Sequence, residues 1–159
     1  MEKRKIIDIP FWTWVPKVSL GPFHIGKSIK DYLKQYNLCD EDEFNAKEYP
    51  GLKLDGFQDM PERYIIPTYD SSFVIFTKNG IIDEFRIETY LYYNGQDIIM
   101  SPIAKAMEII GRKSYDDTSR EEIIDEKQDV YYYYDLGLSL WTLDNVVVTA
   151  FCDDGTGWE

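Results

Sequence analysis

The sequence predicts an α+β fold: two tandem helix-plus-antiparallel-hairpin repeats forming a curved sheet with helices on one face. Three observations predict it. The segment YDSSFVIFTKNGIID, from Tyr69, aligns without gaps with YDLGLSLWTLDNVVV, from Tyr134, 65 residues further on. Both alternate apolar and polar residues around a turn, as half-buried strands do. Each is preceded by an apolar stripe at helical spacing. Ile29, Tyr32, Leu33 and Tyr36 correspond to Ile103, Ala106, Met107 and Ile110, at an offset of 74. The nine residues by which the offsets differ lie in the acidic 40–63 stretch. Repeat one takes residues 21–93 and repeat two 96–153, within a single domain spanning 1–159.

The elements follow in order. The first 20 residues, with Ile6, Ile7, Ile9, Phe11, Trp12, Trp14 and Val15, read as an extended apolar arm. GPFHIGKS then turns into a helix from Ser28, with Asp31 completing a capping-box-like pair, ending near Asn37. Residues 40–63, with Pro50, Gly51, Gly56 and Pro61, read as irregular. Strands follow at Phe73–Thr77 and Ile81–Tyr93. A three-residue loop with Gly80 left-handed is expected between them, because a two-residue loop would pair Phe73 with Arg86 and mix the faces. That register pairs Phe73 with Phe85 and Ile75 with Asp83. Asn94-Gly95 marks a further hairpin. A second helix starts at Ser101, with Pro102 in its first position and Gly111 as its stop. Residues 115–129 are polar, with a short helix around Ile123 and Ile124 as one reading. Leu33, Met107, Phe73, Phe85, Leu138 and Leu140 are expected between helices and sheet.

The other sheet face would carry Phe76, Ile82, Tyr90 and Tyr92 from the first repeat and Trp141, Val147 and Phe151 from the second. Glu84, Arg86 and Glu88 lie among them. Either the N-terminal arm, with Trp12 and Trp14, covers this face, or the face is an aromatic and acidic platform for a protein.

Composition narrows the function. Seventeen Lys and Arg against 29 Asp and Glu give a net charge of -12, which argues against nucleic acid or an anionic membrane and for a basic protein partner, a cation or plain solubility. Aromatic residues reach 16%, a high share that fits a β-rich chain or a stacking and binding surface. Cys39 and Cys152 form no CxxC and suggest neither zinc nor a redox pair. The basic start MEKRKIIDIP is interrupted by Asp8, Pro10 and Pro16 before any signal core could form, so a cytoplasmic protein is expected.

Chemistry finds little footing. His24, the only histidine, has no second histidine to make a metal or acid–base pair. No GxSxG, Walker A, dinucleotide or HExxH pattern occurs. Asp40-Glu41-Asp42-Glu43 begins like a calcium loop, but Phe44 and Asn45 stand where a ligand and the required glycine belong. Twenty-nine acidic residues could supply a glycosidase pair at any spacing, so pairing alone carries no weight. The chain is therefore expected to be no enzyme, with no catalytic residue, cofactor or metal. The expected partner-binding residues are Phe76, Tyr90, Tyr92 and Trp141, then Asp40, Glu41, Asp42 and Glu43.

GPFHIGKS followed by DYLKQY, then YDSSFVIFTKNGIIDEFRI, and later YYYYDLGLSLW, resembles small acidic immunity proteins of bacterial toxin–immunity systems. Their repeats resemble the β-lactamase-inhibitor-protein type of fold. The resemblance covers residues 20–152, rests on structural motifs, and carries over no inhibitory residue. It implies a non-enzymatic immunity or inhibitor protein that occludes a basic partner such as a toxin domain. A small carboxylate-based hydrolase and a general interaction module are the competing classes.

Overall fold

The computed structural model describes residues 8–48, 62–123 and 126–156. The N-terminal segment forms a 3-10 turn at Pro10–Trp12 and a small antiparallel sheet of β1 (Trp14–Val15), β2 (Ser19–Leu20) and β3 (Phe23–His24). β4 (Cys39–Asp40) leads into α1 (Glu41–Glu48), and β5 (Glu62–Ile65) into a 3-10 turn at Pro67–Ser72. β6 (Phe73–Lys78) and β7 (Ile81–Ile87) form the first long hairpin. β8 (Tyr92–Tyr93) pairs with β9 (Gln96–Asp97), ahead of α2 (Ile103–Ile110). β10 (Asp117–Ile123), β11 (Glu126–Tyr133), β12 (Leu138–Leu143) and β13 (Val146–Asp153) complete the chain of elements.

These elements overturn the expected helix-plus-hairpin repeats. The architecture is dominated by one eight-stranded antiparallel sheet in the order β10-β11-β12-β13-β7-β6-β5-β4. Residues 28–36 do not form a helix. Ser28 caps only a 3-10 turn at Ile29–Asp31, its hydroxyl accepting from the Lys30 N–H at 3.3 Å. Tyr32 and Tyr36 then fold onto Phe23, with ring centroids 5.2 and 5.0 Å away. Aromatic packing decides this segment against a weak helix preference. Conversely, the stretch expected to be irregular contains α1, because the Asp40 carboxylate accepts from the N–H groups of Asp42 (2.9 Å) and Glu43 (3.2 Å) as an N-cap. The rest of that stretch, 49–61, lies outside the described residues, as does Ile124. The short helix considered near Ile123 is strand: Asp117–Ile123 pairs with Tyr132–Glu126.

The hairpin turns are also tighter than expected. Lys78 pairs with Ile81 across a two-residue loop, with Asn79 at φ 54 and Gly80 at φ 78. Positive φ at both central residues is what a type I′ turn requires. A β-bulge between Phe76 and Thr77 resolves the face conflict that disfavours this turn on paper. Phe76 faces Glu84 while Thr77 faces Ile82, so Asp83 is the extra residue, and Phe73 pairs with Ile87 instead of Arg86. The second hairpin repeats the device, with Asp144 (φ 51) and Asn145 (φ 65) in the turn and Val148 as the extra residue.

Matching detail extends beyond the hairpins. The Gly26 N–H donates to the Ile82 carbonyl at 2.8 Å, and the Ile82 N–H to the Lys27 carbonyl at 2.9 Å. In the second half, Met100 donates to Val147 at 2.7 Å, and Val147 to Ser101 at 2.9 Å. The halves meet at β7 and β13, where Ile87 faces Ala150 and Phe85 faces Cys152. At an offset of 65 these two pairs are each other's counterparts, so an approximate two-fold axis crosses the sheet between Arg86 and Phe151, which face each other. The helices do not share this match: the position of α2 in the second half is taken in the first by only the 3-10 turn at Ile29–Asp31.

One sheet face carries the core. Phe73, Ile75, Phe85, Ile87, Leu138, Leu140, Ala150 and Cys152 are buried there, and Leu33 and Met107 pack against them half-buried. α2 contributes Ala106, Ile109 and Ile110 and stops at Gly111, which is left-handed at φ 73. Its N-cap is Pro102, because the Ser101 hydroxyl donates instead to the Asp97 carbonyl at 2.8 Å. The N-terminal arm lies on this same face: Trp12 is buried 5.2 Å from the Phe73 ring. Of the arm's described residues, Trp12 and Trp14 are buried in this core and not on the opposite face.

Candidate functional site

The opposite face is the candidate site. Alternation along the strands fixes its membership. One cross-strand row runs Arg63, Phe76, Glu84, Asp153 over β5, β6, β7 and β13. A second runs Val130, Trp141, Thr149 over β11, β12 and β13, and the Thr149 hydroxyl donates to Glu88 at 3.4 Å. Between them lie Val74, Arg86, Phe151, Ser139 and Tyr132. Trp141 and Phe151 stand 5.6 Å apart at 47° and are half-buried. The Trp141 indole N–H donates to the Ser139 hydroxyl at 3.3 Å.

Two concavities interrupt this surface. A cavity of about 220 Å³ is lined by Arg86, Glu88, Gln128, Trp141, Thr149 and Phe151. At the bulge end, a cleft of about 540 Å³ is lined by Lys78, Asp83, Glu84, Asp153 and Asp154, among others. Glu84 and Asp153 are direct cross-strand partners there. Burial, followed by repulsion from Asp153 and Asp83, pushes the Glu84 carboxyl up to about 7. Asp83 is also raised, by burial and then by Asp154. Asp154 is lowered because Thr156 donates both its hydroxyl and its N–H to the carboxylate.

The expected site residues divide between locations. Phe76 and Trp141 lie on the open face, together with Glu84, Arg86, Glu88 and Phe151. Tyr90 and Tyr92 do not: they pack against the core, with Tyr90 5.8 Å from Trp12. The short β8–β9 hairpin breaks the long strand assumed to run to Tyr93 and carries them to the other side. Ile82 and Val147 are likewise buried in the core, because each bulge reverses the alternation beyond it. The acidic run is largely engaged in structure. Asp40 caps α1, while Glu41 and Asp42 pair with Arg63 at 3.4 and 3.3 Å. Glu43 is exposed. The Glu84–Asp153 pair was hidden in the sequence, since only the seam between β7 and β13 joins the two. Nothing local in the sequence around Asp83 or Val148 points there.

Among the described residues, no group of three or more His, Cys, Asp and Glu side chains could hold a metal ion, and no helix is long and apolar enough to cross a membrane. No protein-family model, curated protein or solved structure matches the chain.

Proposed function

We propose that this chain is a non-enzymatic immunity or inhibitor protein that binds and neutralises a basic partner, such as a toxin domain, in the cytoplasm. The observation that carries the reading is the sheet face around Trp141 and Phe151, where half-buried rings stand among Glu84, Glu88 and Asp153. Rings supply anchoring area in protein interfaces, and carboxylates steer a cationic partner. A net charge of -12 acts in the same direction at long range. The test is co-expression with a toxin domain encoded beside the gene. Protection and a complex stable at low salt are expected. Neither protection nor complex at low salt would overturn the reading.

A second reading, a carboxylate-based hydrolase, is supported by the Glu84–Asp153 pair in its cleft, with one carboxyl raised to about 7. Full protection by Glu84→Gln would count against it, because the proton-transfer group would be gone while inhibition persisted.

A further inference from the structure

The two outer rows of the open face are counterparts across the sheet's approximate two-fold axis, and they differ by a cation. The row Arg63, Phe76, Glu84, Asp153 contains a guanidinium, a ring and two carboxylates. Its counterpart contains Val130, the Trp141 ring, Thr149 and the Glu88 carboxylate. The ring and a carboxylate recur, whereas the cation is replaced by a fully buried valine. In the first row, Glu41 and Asp42 hold the chain's own guanidinium in place. In the second, the 220 Å³ cavity opens beside Trp141 and Glu88. That volume is below the roughly 300–1,000 Å³ of small-molecule pockets and suits one side chain. Arg86 also lines the cavity. Its Nη2 donates to the Ser71 carbonyl at 2.9 Å, towards β6 and away from the strand that carries Trp141.

We propose that this cavity receives an arginine side chain of the partner, its guanidinium against the Trp141 ring and paired with the Glu88 carboxylate. This rests on reading the open face as the partner-binding surface. Arginine fits better than lysine because its planar guanidinium stacks on a ring while forming a forked carboxylate pair. The chain's net charge of -12 favours a cation's approach at long range.

A titration of the isotope-labelled full chain with N-acetyl-arginine amide at low salt tests this without the partner. The Trp141 indole N–H resonance is assigned from Trp141→Phe. Saturable shifts are expected at that resonance and at the Thr149 and Glu88 amides. N-acetyl-citrulline amide, similar in shape but uncharged, should leave them in place. Glu88→Gln should weaken the response about threefold, the worth of one exposed ion pair, and Trp141→Ala should abolish it at the two amides while the remaining spectrum stays folded. Shifts confined to the Asp83–Asp154 cleft, an equal response to citrulline, or no effect of Glu88→Gln would overturn the cavity assignment. Arginine binding without protection on co-expression leaves the cavity and removes the immunity reading. Protection without arginine binding does the reverse.

Discussion

Met100 is 70% exposed and sits at φ 67, where its counterpart Gly26 has φ 91. A left-handed backbone costs a side-chain-bearing residue about 1–2 kcal/mol, partly offset by the freedom glycine gains on unfolding. Met100→Gly should therefore raise stability by about 0.5–1 kcal/mol in chemical denaturation; a loss would mean that the side chain makes contacts of its own. Leu138 is buried under the same core as Phe73, and Leu138→Ala should cost about 2–5 kcal/mol through lost burial and the cavity left behind. Glu84 carries a pH signature. Its carboxyl is raised from 4.5 to about 7, so the folded chain binds a proton in that window that the unfolded chain has released. Its contribution is complete below about 4.5 and is lost as pH rises through 7. Glu84→Gln should match wild type near pH 4 and exceed it by about 1–3 kcal/mol at pH 8. A constant difference across pH would show that Glu84 titrates normally.

The elements differ in how openly the sequence declares them. Alternation around Asn79-Gly80 and around Asp144-Asn145 exposes both hairpins, and Gly111 marks the end of α2. Residues 29–36 carry a helical stripe that cannot be told apart from aromatic residues spaced to reach Phe23, and tertiary packing settles the matter. Bulges are harder still. One extra residue at Asp83 or Val148 reverses every side chain beyond it, and no local pattern distinguishes that from a longer loop. This is why Phe76, Trp141 and Phe151 were legible on the open face while Ile82 and Val147 belong on the core side; Tyr90 and Tyr92 are there because the β8–β9 hairpin breaks the strand. The turns provide a check. Type I′ geometry favours Asn-Gly, so Asn145→Gly should stabilise the second hairpin by a few tenths to about 1 kcal/mol. Destabilisation would argue that Asn145 serves another purpose.

At the scale of the whole molecule, the seam between β7 and β13 brings two sequence-distant halves into one surface and creates the aromatic and acidic face that neither hairpin has alone. Association through such a face with a basic protein should be fast at low ionic strength and slow as salt shortens the Debye length, with dissociation changing less. The most direct measurement is the affinity of the purified chain for the partner recovered by co-expression, comparing wild type with Trp141→Ala/Phe151→Ala and with Tyr90→Ala. Loss of the two rings should weaken binding at least about 30-fold, as removal of a central anchor does, while Tyr90→Ala, on the core side, should bind as wild type. Unchanged affinity of the Trp141/Phe151 double variant, or a loss confined to Tyr90→Ala, would contradict inhibition through the open face.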